Sequence, residues 1–410
     1  MFSYSFRRTK KYIFIRNILI FLCIFTIFIN YLNVPQIVYG DTGSAQEIEQ
    51  ELTENIISQL YSLDLSDVEQ MVDSLTKTQT EVFGESSFLS KIENIVNGEF
   101  KVGQKSVFSS AVNLIFDDVL KFIPLLASII VVAILCSFVA NLRGESNSKS
   151  VGDIIHFVCY GIIIILIMSG VINMVKMTSA TLNSLKTQME IIFPILLTVM
   201  TAIGGVASVA VYQPAVALLS SFVMQIFTSV LMPIFIFMLI FNIISNLTST
   251  VKLDKFSKFL GSTFKWIIGG VFTIFMAFLA IQGITASTYD GVSIRTAKFA
   301  LRSYVPLLGG YLADGFDLIL ASSVLIKNAV GASGLLLMFT IVISPVIQIV
   351  VFSLILKFAA AILEPLTDNR ISDFIYSVAK SLTLLVVLIL GVAFMYLITT
   401  GLIMCTANHF

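Results

Sequence analysis

Residues 331–404 read GASGLLLMFTIVISPVIQIVVFSLILKFAAAILEPLTDNRISDFIYSVAKSLTLLVVLILGVAFMYLITTGLIM. Gly331–Leu363 is apolar apart from Lys357, Glu364–Lys380 is polar, and Ser381–Met404 holds no charged side chain. A hydrocarbon core is spanned by about 20 apolar residues rising 1.5 Å each. Two such runs joined by a short polar loop read as a membrane hairpin.

The pattern occurs twice more towards the N-terminus. Phe122–Ala140 and Val151–Met174 flank the loop Asn141–Asp153, and Ser221–Leu247 and Trp266–Ile284 flank Thr248–Lys265. Pro124, Pro233 and Pro345 sit in the first run of each hairpin, 109 and 112 residues apart. At an offset of 112 the last two units align without gaps, pairing Pro194 with Pro306, Ser221 with Ser333, Phe227 with Phe339 and Pro233 with Pro345.

Composition supports this reading. Apolar residues make up 57% of the chain and charged residues 12%, about half the charged share of an ordinary soluble domain. The expected fold is an all-α polytopic membrane bundle with three hairpin-like repeats, about 122–174, 221–284 and 331–404. Cys23, Cys136, Cys159 and Cys405 lie in or beside apolar runs without a Cys-x-x-Cys. They read as small packing residues, not as a disulfide framework or a zinc site.

The first 40 residues carry Arg7, Arg8, Lys10, Lys11 and Arg16 ahead of the apolar stretch Ile18–Val34, with Gly40 as a small residue for cleavage. This is a signal peptide or an uncleaved signal anchor. Either places Asp41 outside the cytoplasm, because the basic cluster stays inside.

Residues 41–120 form an acidic helical extracytoplasmic domain. Asp41–Asp118 holds 15 of the 25 acids and four lysines, so nucleic acid is not an expected partner. Ile48, Leu52, Ile56, Leu60 and Leu63 make one helical stripe. Ser66 and Glu69 have capping-box spacing ahead of a second helix. Ser90 and Glu93 have the same spacing, but Phe88, Leu89, Ile92, Ile95 and Val96 place the start of that helix before Ser90, with Gly98 as its expected end, and a fourth helix, about 106–120, leads into the first span. The domain's outer face either docks a partner or is simply solvated.

The multi-pass region is 121–410, and two segments in it resist assignment as plain spans. Ile191–Tyr212 contains Gly204-Gly205 and is closed by Gln213-Pro214; Val305–Val330 contains Asp314, Asp317 and Lys327. A charge at the centre of a lipid-facing helix costs about 2.5–3.5 kcal/mol or more. Both segments are therefore expected to be embedded or re-entrant. If neither crosses, the loop with Lys252, Lys255, Lys258 and Lys265 is cytoplasmic, as the positive-inside rule prefers. This gives six spans after the signal, against a competing count of eight, and puts the mature termini outside.

Soluble catalytic signatures are missing. There is no phosphate-binding Gly-x-x-x-x-Gly-Lys-Ser/Thr, no His-Glu-x-x-His and no Gly-x-Ser-x-Gly, so no enzyme, cofactor or metal is expected. The two histidines, His156 and His409, read as satisfied or interfacial side chains. Gly269-Gly270 reads as a close helix contact.

The unusual polar cluster runs from Gly309-Gly310 through Asp314-Gly315-Phe316-Asp317 to Lys327-Asn328. Asp314 and Asp317 share a helix face, with Lys327 nearly three turns on. Asp314, Asp317, Lys327, Gly309, Gly310 and Gly315 are the candidate conduit or assembly residues. The competing reading is a buried cluster that neutralises itself.

This block, Leu307–Gly334, is where the chain resembles a known family. With Asp314-Gly315-Phe316-Asp317 and Ser322-Ser323-Val324-Leu325-Ile326-Lys327-Asn328-Ala329-Val330-Gly331, together with the signal-like start, the acidic domain and the hairpins, it resembles stage III sporulation protein AE. The resemblance implies an endospore-forming bacterium and a multi-pass component of the assembly joining mother cell and forespore, a channel- or secretion-like complex in the mother-cell membrane around the forespore. Implied partners are other products of the stage III sporulation A operon, including an ATPase and ring-forming subunits. Self-association into a homo-oligomer is left open. Lys252, Lys255 and Lys258 are the candidate cytoplasmic contact for such an ATPase. The alternatives are a secondary transporter for a small solute, with its site at the repeat interface, and a scaffold that only anchors partner subunits.

Overall fold

The computed structural model describes residues 44–84, 86–97, 104–141, 149–247, 253–304, 309–366 and 369–406. The signal-like start, Cys23, Gly98, the 142–148 loop and Lys252 lie outside the described residues. The described chain is helical throughout, with no strand.

Four short helices come first: α1 Ser44–Ser62, α2 Ser66–Asp73, α3 Lys77–Phe83 and α4 Phe88–Val96. Ile56 and Leu60 of the expected stripe are buried, together with Val68, Phe83, Phe88 and Ile92. The expected capping box at Ser66 and Glu69 does not form. No side chain caps α2; instead the Ser66 N–H and hydroxyl donate to Asp64 Oδ1 at 3.2 and 2.6 Å. Glu69 turns to another helix and accepts the Phe88 and Leu89 N–H groups at 3.1 and 2.9 Å. Those are donors at the start of α4 that no intrahelical carbonyl can reach. The capping box in this region is Thr76 with Gln79, at α3. Helix α4 starts at Phe88 with Ser87 as its N-cap, before Ser90 as expected.

Long helices follow: α5 Gln104–Asn141, α6 Lys149–Ala202, α7 Val206–Ala217, α8 Met232–Leu247, α9 Asp254–Tyr304, α10 Gly309–Leu363 and α11 Asn369–Cys405. The expected fourth helix is thus the first half of α5. Between α7 and α8 the chain stays helical but widens into two π stretches, Leu218–Val223 and Phe227–Leu231, around the single turn Met224–Ile226. Pro233 has no N–H for the Ser229 carbonyl and crowds it, and the wider turn just ahead accommodates both faults.

Among the described residues six helical stretches are long and apolar enough to cross a membrane: Val112–Val139, Phe157–Ala202, Val206–Asn246, Lys255–Ile281, Asp317–Leu363 and Arg370–Cys405. Three exceed 40 residues, or about 60 Å, roughly twice a hydrocarbon core. Ile191–Tyr212 is the tip of a helical hairpin. Helix α6 runs through Pro194 to Ala202 and ends in a Schellman turn, with Gly204 N–H on Thr201 O, Gly205 N–H on Met200 O and Gly204 at φ 87°. A side chain there would strain the left-handed backbone, so the glycine ends the helix. From Gly309 onward, the second unassigned segment is the first half of α10, continuous with the run that follows it.

Helices α10 and α11 pack against each other along their lengths and form the centre of the bundle, with α6 against both. The tight glycines are not the expected pair. Gly269 and Gly270 have open space where a Cβ would stand. Close approach occurs at Gly170, whose Cβ would lie 2.5 Å from the Phe352 ring, and at Gly331 and Gly334. The cysteines also require a correction. Cys136 of α5 and Cys159 of α6 form a disulfide, with Cα atoms 5.9 Å apart. Motif spacing cannot reveal such a bond, because the hairpin register brings together residues 23 apart.

Candidate functional site

The candidate block spans the first half of α10. Gly309, Gly310 and Asp314 lie in its opening turns. Gly315 is exposed and Asp317 is half-buried. Lys327 is fully buried. The structure therefore strings these residues along one helix from surface to core and does not gather them at one point.

Lys327 is the inner end of a polar seam. Its ammonium donates to the main-chain carbonyl of Thr406, at the end of α11. The last carbonyls of a helix have no intrahelical donors, and the helix dipole makes that end negative. A cation from a neighbouring helix answers both needs. The Thr406 hydroxyl lies 2.9 Å from the Tyr212 hydroxyl of α7. One layer further along, Gln188 Nε2 of α6 donates to the Gly334 carbonyl at 2.6 Å and to the Tyr396 hydroxyl at 3.3 Å. Between the layers, Met404 packs on Gly331, and Phe193 stacks beside Tyr396 with ring centroids 5.2 Å apart.

The seam joins α6, α7, α10 and α11 through buried hydrogen bonds. Its chemistry is holding and orienting, and a buried polar network of this kind fixes one arrangement of helices. Sequence reading found Lys327 but missed Gln188, Tyr212, Tyr396 and Thr406. Tyr396 stands alone in an apolar run, Gln188 lies among the polar residues Lys186-Thr187 and Glu190, and separations such as 146 and 208 residues leave no local signal.

The acidic helices dock on this same part of α10. Helices α1, α3 and α4 pack against α10, and the Ser323 hydroxyl donates to Gln59 Oε1 at 2.7 Å. Within that unit Lys91 is buried, donates to Ser86 Oγ at 2.9 Å and lies 4.5 Å from the centre of the Phe83 ring. Burial pushes its ammonium below the usual lysine range. Asp64 is held below the usual carboxylate range by its bonds from Ser66. Of the cytoplasmic candidates, Lys255 and Lys258 are exposed on the first turns of α9. Among the described residues no three His, Cys, Asp or Glu side chains stand together as a metal site.

The sequence profile of the stage III sporulation protein AE family matches residues 86–407. The chain belongs to the stage III sporulation protein AE family. A curated relative, stage III sporulation protein AE of Bacillus subtilis (strain 168), is 24% identical over 313 residues, which is 76% of this chain and 78% of that protein. No solved structure matches. The family match includes the whole seam and begins after α1–α3. Family membership supports a role in sporulation, and six long apolar helices fit a multi-pass membrane protein.

Proposed function

We propose that this chain is a non-enzymatic integral membrane component of a transenvelope, secretion-like channel complex needed for endospore formation. It sits in the mother-cell membrane around the forespore and works with the other proteins of its operon, an ATPase and ring-forming subunits among them. Family membership supports the sporulation role, and the six candidate spans support the membrane placement. The observation that carries the reading is the docking of α1, α3 and α4 on the charged half of α10. In this reading it presents one continuous extramembrane surface to partner subunits.

A scaffold that conducts nothing is the second reading, favoured by the inward turn of Lys327. The test is replacement of Asp314 and Asp317 by asparagine in a sporulating host. Lost sporulation with intact co-purification of partners supports a conduit; lost co-purification supports a scaffold. Solute uptake by the isolated protein in vesicles would overturn both in favour of a transporter.

A further inference from the structure

The outer face of α9 does not look like a plain lipid-facing surface. An open depression of about 400 Å³ is lined by Phe259, Ser262, Thr263, Trp266 and Ile267. Trp266 is 79% exposed, the largest exposure of any bulky apolar side chain among the described residues. Lys255, Lys258, Ser262 and Lys265 are exposed on the same helix. Positions 255, 258, 262 and 265–266 recur every three to four residues, so they share one helix face.

The position of this face along the helix follows from its own sequence. Trp266–Tyr289 contains no charged residue over 24 positions, about 36 Å of helix and enough to cross the hydrocarbon core. Lys265 and Trp266 therefore mark the edge of that core. Tryptophan and lysine at the end of a span are the usual residues of the headgroup layer. The depression straddles this edge: Trp266 and Ile267 line it at the core side, and Phe259, Ser262 and Thr263 line it on the side that carries Lys255 and Lys258.

We propose that this face is a binding site for an anionic phospholipid. An acyl chain lies along Trp266 and Ile267, and Phe259 flanks the headgroup. The headgroup phosphate takes the Ser262 and Thr263 hydroxyls and the Lys258 ammonium. Lysines near an anionic leaflet attract it additively, and Thr248–Lys265 holds four lysines against the single acid Asp254. A zwitterionic lipid would satisfy the aromatic wall but not the lysines. The site rests on the membrane placement of α9 and not on the proposed channel complex, so either can fail alone.

The chain has a single tryptophan, which makes Trp266 the reporter. The full-length protein is reconstituted in phosphatidylcholine vesicles containing either brominated phosphatidylglycerol or brominated phosphatidylcholine. Bromine quenches tryptophan only on contact. The anionic lipid is expected to quench at a mole fraction about five-fold lower or less. That preference is expected to fall towards parity for wild-type protein in high salt and for Lys255→Gln/Lys258→Gln. Equal quenching by the two lipids overturns the proposal. Quenching by neither also overturns it, because Trp266 would then be shielded from lipid, as by a second copy of this chain.

Discussion

Lys327 has two jobs to choose between, lining a passage or holding helices, and its acceptor favours the second. Lys327→Met keeps the stem in the core but leaves the Thr406 carbonyl without this donor. A buried acceptor stripped of its donor costs about 1–3 kcal/mol. The unfolding temperature in detergent is expected to fall accordingly, with the end of α11 near Thr406 becoming protease-sensitive. Gly170 makes a sharper steric case. Its Cβ would meet the rigid Phe352 ring at 2.5 Å, so Gly170→Ala is expected to cost about 1–3 kcal/mol by overpacking. Gly269→Ala and Gly270→Ala meet open space and are expected to be neutral or mildly stabilising through helix propensity. Thermal melts of the three variants check this ordering. Sequence reading pointed to Gly269-Gly270 because doubled glycine suggests close packing. Which glycine faces a neighbour depends on rotation about the helix axis, and composition does not encode it.

At the scale of elements, Glu69 is the acidic unit's most exposed dependence on long-range folding. It caps α4 from 19 and 20 residues away, so Glu69→Ala is expected to cost about 1 kcal/mol and to speed amide exchange at Phe88 and Leu89. Lys91 gives the unit a pH response. Burial lowers its folded pKa below the usual lysine value that the unfolded chain keeps. Between the two values the unfolded chain holds more protons, so stability rises with pH through that window. Melts in alkaline buffers are expected to show that rise, and Lys91→Met to flatten it. The helices themselves were legible as hydrophobic runs and stripes, because those patterns are local. The cap of α4, the disulfide between α5 and α6 and the π turns before Pro233 were not. Each depends on how two elements meet or on how a helix absorbs a local fault.

For the whole molecule, the hairpin pattern led to six spans, and among the described residues six helical stretches are long and apolar enough to cross a membrane, three of them about twice the length one crossing needs. The pattern could not show that α6 and α10 would run on, unbroken, for 54 and 55 residues. Two runs that read as separate segments join when nothing between them stops a helix, whereas the Schellman turn at Gly204 stops α6 inside Ile191–Tyr212. Topology remains testable by labelling. With other cysteines removed, Ser58→Cys on α1 is expected to react with a membrane-impermeant maleimide from outside, and Lys258→Cys on α9 only after permeabilisation. The reverse result would turn the whole bundle over.

Helix α10 has a mechanical property that follows from its length and one proline. Pro345 removes a backbone bond and is the natural place for the helix to bend. It leaves 36 residues on the Gly309 side and 18 on the Leu363 side, arms of about 54 and 27 Å. If the helix pivots there, it is a lever with a two-to-one ratio. A shift of a few ångströms at the loop beyond Leu363 would double at the Gly309 end, and the same arm would carry the acidic helices that touch it at Ser323.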